Sequence, residues 1–188
     1  MPLKQNEKPH IPGTGGFMRP DDVLRNLEIK KGMEIADFGC GAGYFTILLA
    51  KLTGKEGTVY AIDVLTSALD SVRGKAKFAS LFNIETIRGN LEKAKGSSLK
   101  DASSDVVILA NVLFQSPDKP AILKEAKRVL KSSGKAVVIE WKEDASFGPE
   151  TRYRIGKEAL KSMAKEAGFV LEKEFPAGSS HYGLVFSL

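Results

Sequence analysis

Two carboxylates and a run of alternating glycines are the residues of this chain best suited to chemistry. Gly39, Gly41 and Gly43 follow the apolar run MEIADF directly, and Tyr44 opens a second apolar run, YFTILLAKL. Glycines at such a bend let the backbone turn sharply and approach a ligand closely, and the helix start just beyond offers free N–H groups. A dinucleotide-binding turn would need glycine at position 44, where this chain has tyrosine. Asp37, inside the run that precedes the turn, would crowd a pyrophosphate but welcome an ammonium group. Asp63 closes the next apolar segment, TVYAIDV, where a carboxylate accepts hydrogen bonds from ribose hydroxyls. Together these groups fit a nucleoside joined to an amino acid, with no phosphate required.

The elements that must carry these groups alternate along the chain. MEIADF is short and apolar, as befits a strand buried on both faces of a parallel sheet. A helix is predicted over YFTILLAKL, ending near Gly54, and a strand over 58–64. Leu69, Val72, Ala76 and Ala79 recur at helical spacing, IETIRG reads as a third strand, and DVVILANVLF as a fourth. Ile122, Leu123, Ala126, Val129 and Leu130 form one helical stripe over 121–131, with Gly134 as its stop. KAVVIEW is the fifth strand, and a helix carrying Leu160 and Met163 follows, closed by Gly168. FVLEKEF and YGLVFSL, split by the short turn PAGSSH, form an antiparallel hairpin. The expectation is a doubly wound, mostly parallel α/β sheet, with ligands at the carboxyl ends of its strands. Residues 1–20 read as an irregular proline- and glycine-rich arm, and 21–188 as one domain.

Composition excludes several classes. No apolar run approaches the roughly 20 residues of a membrane span. No apolar signal core occurs near the N-terminus, so a cytoplasmic location is the expectation. One cysteine and two histidines supply no recognisable metal cluster. The net charge of +5 invites a nucleic-acid reading, but the lysines are scattered at helical spacing, as on solvated helix faces.

With these motifs in view, the sequence resembles the class I S-adenosylmethionine-dependent methyltransferases, and the small-molecule, quinone-biosynthesis (type 11) group among them. IADFGCGAGYFT looks like the family's first motif, AIDV like its second-strand acidic position, RGNLEKA like the segment beside adenine, and DVVILANVLFQ like its fourth-strand motif. The resemblance implies a Rossmann-like, seven-stranded sheet of order 3-2-1-4-5-7-6 with the last strand antiparallel. It also implies S-adenosylmethionine as cofactor. Asp37, Gly39 and Gly41 would hold the methionine moiety, with Cys40 and Tyr44 lining the pocket. Asp63 would take the ribose, Val64 would pack on adenine, Asn90 and Leu91 would meet its edge, and Asn111 would lie below the methionine.

The acceptor end is less sharply marked. Glu140 and Trp141 close the fifth strand on the ligand side, where both would face the acceptor. Glu140 and His181 are the candidate bases, Tyr182 a candidate aromatic wall, and Arg152, Tyr153 and Arg154 a candidate patch for an acidic acceptor. Phe17 and Met18 are candidates for a lid, and His10 reads as a solvated residue of the arm. Almost no insertion is available to grip a polymer, which favours a small-molecule acceptor over RNA. Two other readings stand beside this one: an NAD-dependent oxidoreductase, against which Asp37 and Tyr44 argue, and a catalytically silent cofactor-binding partner.

Overall fold

The computed structural model describes residues 18–188. His10, Phe17 and most of the 1–20 arm therefore lie outside the described residues. Helix α1 (Pro20–Leu24) precedes β1 (Glu34–Phe38), α2 (Tyr44–Thr53), β2 (Thr58–Asp63), α3 (Thr66–Phe78) and β3 (Ile84–Arg88). There follow β4 (Ser104–Ala110), a 3₁₀ turn (Leu113–Gln115), α4 (Lys119–Val129), β5 (Leu130–Trp141), a second 3₁₀ turn (Thr151–Tyr153), α5 (Lys157–Glu166), β6 (Val170–Pro176) and β7 (His181–Ser187).

The seven strands form one sheet in the order β3-β2-β1-β4-β5-β7-β6. Pairings from β3 through β5 are parallel, while β7 runs antiparallel to both β5 and β6. The expected doubly wound sheet with a terminal hairpin is what the chain adopts. Side-chain alternation assigns the two faces. Phe38, Val107, Leu109, Val138 and Leu184 pack beneath Leu123 and Ala126 of α4 and Leu160 of α5. Ile35, Ile108, Val137, Ile139 and Val185 face Val23 of α1 and Phe45 and Leu49 of α2. Near-continuous apolar strands are the sequence signature of a sheet covered on both sides.

Three boundaries differ from the sequence reading. Strand β4 stops at Ala110 rather than Phe114, because Asn111 takes a left-handed conformation with φ of 59° and the chain turns into the 3₁₀ segment. Gly134 does not stop α4. The helix ends at Val129, β5 begins at once with Leu130, and Gly134 lies inside that strand, where a Cβ would come within 2.8 Å of the Leu130 side chain. Pairing of β4 with β5 shifts register between Ser104 and Val106, and this irregularity lets the longer strand run past the helix end. Gly168, with φ of 86°, ends α5 as expected.

Candidate active site

The turn between β1 and α2 is held open by its own backbone and by two side chains. Gly43 caps α2 with φ of 81°, and a Cβ there would fall 2.8 Å from Val72 of α3, so only glycine allows the two helices to close on each other. Gly41, with φ of 50°, has no atom within 4 Å of where its Cβ would stand. It faces open cleft. The Cys40 N–H donates to the Ile62 carbonyl at 3.0 Å, which ties the turn to β2. Lys75 of α3 donates to the Ala42 carbonyl at 2.6 Å and sits 4.1 Å above the Tyr44 ring. Nothing in residue type or spacing singled out that lysine.

Asp63 ends β2 beside this turn. One carboxylate oxygen accepts from the Gly41 N–H at 2.9 Å and the other from the Leu65 N–H at 2.9 Å. A carboxylate has about four lone-pair positions, so each oxygen retains one for an incoming hydroxyl. Around it lies a cavity of about 520 Å³ lined by Val64, Asn90, Leu91, Val112 and Gln115 among others. Half-exposed Val64 and buried Leu91 offer it apolar walls. The Asn90 side-chain oxygen accepts from the Glu92 N–H at 2.9 Å, which fixes the loop after β3.

A second cavity, of about 270 Å³, opens on the other side of Gly39 and Gly41. Asp37, Cys40, Tyr44, Asn111, Trp141 and His181 line it, and Gln115 borders both cavities. Asp37 points to the α2 side of β1, and Thr46 of α2 donates its hydroxyl to it at 2.5 Å. Burial, with a smaller contribution from the Asp63 charge, pushes the Asp37 carboxyl up to about 6 despite that hydrogen bond. Burial likewise drives the Cys40 thiol far above its ordinary range, so it is a wall residue and no nucleophile.

Strand alternation separates the candidate acceptor residues. Trp141 and His181 are cross-strand partners on the α2 face, with ring centroids 4.0 Å apart. Glu140 and Tyr182, the adjacent pair, point to the opposite face. Glu140 is fully buried there, and one of its oxygens accepts from the N–H groups of Leu113 and Phe114 at 2.7 and 3.3 Å. Burial raises its carboxyl to about 7. It holds the 3₁₀ turn that carries Gln115, and neither cavity wall includes it. The expectation that Glu140 and Trp141 together face the acceptor fails because neighbours on a strand face opposite sides. Tyr182 is no wall of the cleft either: its hydroxyl donates to the Ile155 carbonyl at 2.7 Å.

The arginine patch is also corrected. Arg154 donates its guanidinium to the carbonyls of Pro149, Glu143, Ala145 and Phe147, which staples the loop after β5, and Arg152 pairs with Glu150. Met18 is buried against the α2 face and lines the smaller cavity, where the sequence placed a lid residue. Among the described residues no group of acidic, histidine or cysteine side chains could hold a metal ion, and no helix is long and apolar enough to cross a membrane.

An open sheet with a glycine turn after its first strand, an acid ending its second and a divided cleft at the switch point defines a Rossmann-like nucleoside-binding domain. A family model described as a methyltransferase domain matches residues 29–171, and the chain belongs to that family. It is 35% identical over 127 residues to a demethylmenaquinone methyltransferase of Geobacillus stearothermophilus, covering 68% of this chain and 53% of the relative. A demethylmenaquinone methyltransferase of Staphylococcus aureus is 30% identical over 179 residues, covering 79% and 72%. The chain thus spans about half the length of the first of these relatives. A solved structure described as a SAM-dependent methyltransferase, from Aquifex aeolicus, superposes with a TM-score of 0.83 at 26% identity, covering 90% of this chain and 89% of that one.

Proposed function

We propose that this protein transfers a methyl group from S-adenosylmethionine to a small-molecule acceptor. The observation that carries the reading is the pair of cavities meeting at Gly39 and Gly41, with Asp63 on one side and Asp37 on the other. A long cofactor with a ribose at its middle and an ammonium at one end suits that division. The residues present fit the group: Asp63 keeps free lone pairs, Gly41 leaves the cleft open, and the Asn111 side-chain oxygen is buried with no hydrogen-bond partner among the described residues. When bound, S-adenosylmethionine supplies a methyl group already activated by its sulfonium.

In this reading Asp63 takes the ribose hydroxyls, and Val64, Asn90 and Leu91 enclose the adenine. Asp37, Gly39, Gly41, Cys40, Tyr44 and Asn111 enclose the amino-acid end. Asp37 neutralises the ammonium, and Met18, Phe45 and Trp141 keep water from the reacting end. The chain's work is alignment and exclusion of solvent. A small acceptor is favoured because the smaller cavity is narrow and cationic side chains such as Arg128, Lys131 and Lys157 are engaged in ion pairs. The relatives' names make demethylmenaquinone the first acceptor to assay. Calorimetry of the purified protein with S-adenosylhomocysteine and with NADH tests the reading: tight uptake of the first supports it, and uptake of NADH alone overturns it.

A further inference from the structure

His181 is buried to 1% exposure, and neither ring nitrogen has a hydrogen-bond partner among the described residues. A buried imidazole left wholly unpaired costs free energy, so native structures satisfy such groups with protein atoms, ordered water or a bound ligand. This one lines the smaller cavity, as does the equally unpaired Asn111 oxygen. Asn111 takes a left-handed φ of 59°, which asparagine adopts more readily than most residues, and so turns the chain at the cleft. His181 and Asn111, which between them carry three unsatisfied polar atoms, therefore both line one cleft, beside Trp141, Tyr44 and Phe45.

We propose that His181 is the catalytic base for a neutral phenolic hydroxyl, seated in the smaller cavity with its ring against the Trp141 and Tyr44 side. The inference rests on the methyl-transfer reading and names the acceptor class within it. The acceptor oxygen forms the new bond to the methyl carbon while the carbon–sulfur bond breaks, its electron pair staying on sulfur. The acceptor proton passes to the unprotonated ring nitrogen of His181, and the imidazolium then yields it to solvent.

Burial, aided by the nearby Lys142 charge, lowers the imidazole to about 4, so it stays neutral at physiological pH. Asp37, Cys40 and Tyr44 are the other ionisable groups bordering that cavity. So weak a base cannot strip a free phenol beforehand. It suffices during the displacement, because the hydroxyl grows far more acidic as its oxygen becomes bonded to carbon.

The experiment uses the full chain with His10→Gln, which leaves His181 as the sole imidazole of the two in the sequence. Nitrogen NMR of that ring is followed as 4-methoxyphenol is added to protein loaded with S-adenosylhomocysteine. Turnover of 4-methoxyphenol and of 4-nitrophenol, which is largely ionised at mildly alkaline pH, is then compared for His181→Gln and His181→Phe. The expected result is a shift of the ring nitrogens, with loss of about 100-fold or more for the un-ionised phenol and much less for the ionised one. Equal losses for both phenols, or an imidazole unmoved by the phenol in protein that does bind S-adenosylhomocysteine, overturn the inference alone. Failure to take up S-adenosylhomocysteine instead removes the methyl-transfer reading beneath it.

Discussion

Asp37→Asn separates what the fold wants from what the ligand wants. Burial lifts the carboxyl from its ordinary 3.8 to about 6, a cost of about 3 kcal/mol when it is ionised. Because the folded value lies above the unfolded one, the side chain's favourable contribution is fully present below 3.8 and is lost as pH rises through about 6. At neutral pH the ionised group therefore works against the empty protein. Asparagine keeps an acceptor for the Thr46 hydroxyl without the charge. In urea titrations at about pH 7.5 the variant should be more stable than the parent by up to about 3 kcal/mol, and the gain should vanish near pH 4. Calorimetry with S-adenosylhomocysteine should show the opposite sign: binding weaker by at least about tenfold, or 1.4 kcal/mol, because the ammonium loses its counter-charge. In the parent, affinity should fall about tenfold per pH unit below 6, as each binding event must first displace the proton, and that slope should be absent in the variant. A variant no more stable at pH 7.5 refutes the burial argument, and one that binds like the parent with the same pH slope refutes the assignment of Asp37 to the ammonium.

Gly41→Ala should leave the fold intact, with a strain cost of about 1 kcal/mol at its positive φ, yet weaken S-adenosylhomocysteine at least about tenfold by calorimetry, since the methyl enters open cleft. Glu140→Gln keeps an acceptor for Leu113 and Phe114 while removing the ionisation that burial opposes. Its folded value of about 7 exceeds the usual 4.5, so the variant should gain stability over the parent as pH rises through 7, read by thermal unfolding across pH. Glu125, held well below its ordinary range at about 2 by hydrogen bonds from Arg128 and Ser97, has the reverse sign. Its contribution is present above 4.5 and lost as pH falls towards 2, and Glu125→Ala should cost about 3 kcal/mol at neutral pH in chemical denaturation.

The parts of the site that were legible in the sequence are those whose chemistry is local. A glycine turn after an apolar strand and an acid ending the next strand are read directly from the residues, and the fold sets Asp37 and Gly41 on one cavity and Gly41 and Asp63 on the other. The sheet was legible for a similar reason, since apolar strands alternating with amphipathic helices admit few layerings. What escaped depends on register and on contacts across the fold. Glu140 and Trp141 were read together, although their adjacency in β5 sends them to opposite faces. Arg154 looked like a free cation because its partners are carbonyls of an irregular loop, which no pattern of residue types reveals. Lys75 and Gln115 reach the site from α3 and from a 3₁₀ turn, and neither carries a signal of its own. The unsatisfied state of His181 is likewise a property of the assembled sheet and not of any motif.

Asp63 braces the Gly41 amide with the same carboxylate that is suited to the ribose. A residue with two such employments resists piecemeal revision. Exchanging it to admit a different nucleotide would also unfasten the glycine turn, so a change of cofactor needs at least two coordinated substitutions, one restoring the brace while the other recasts recognition.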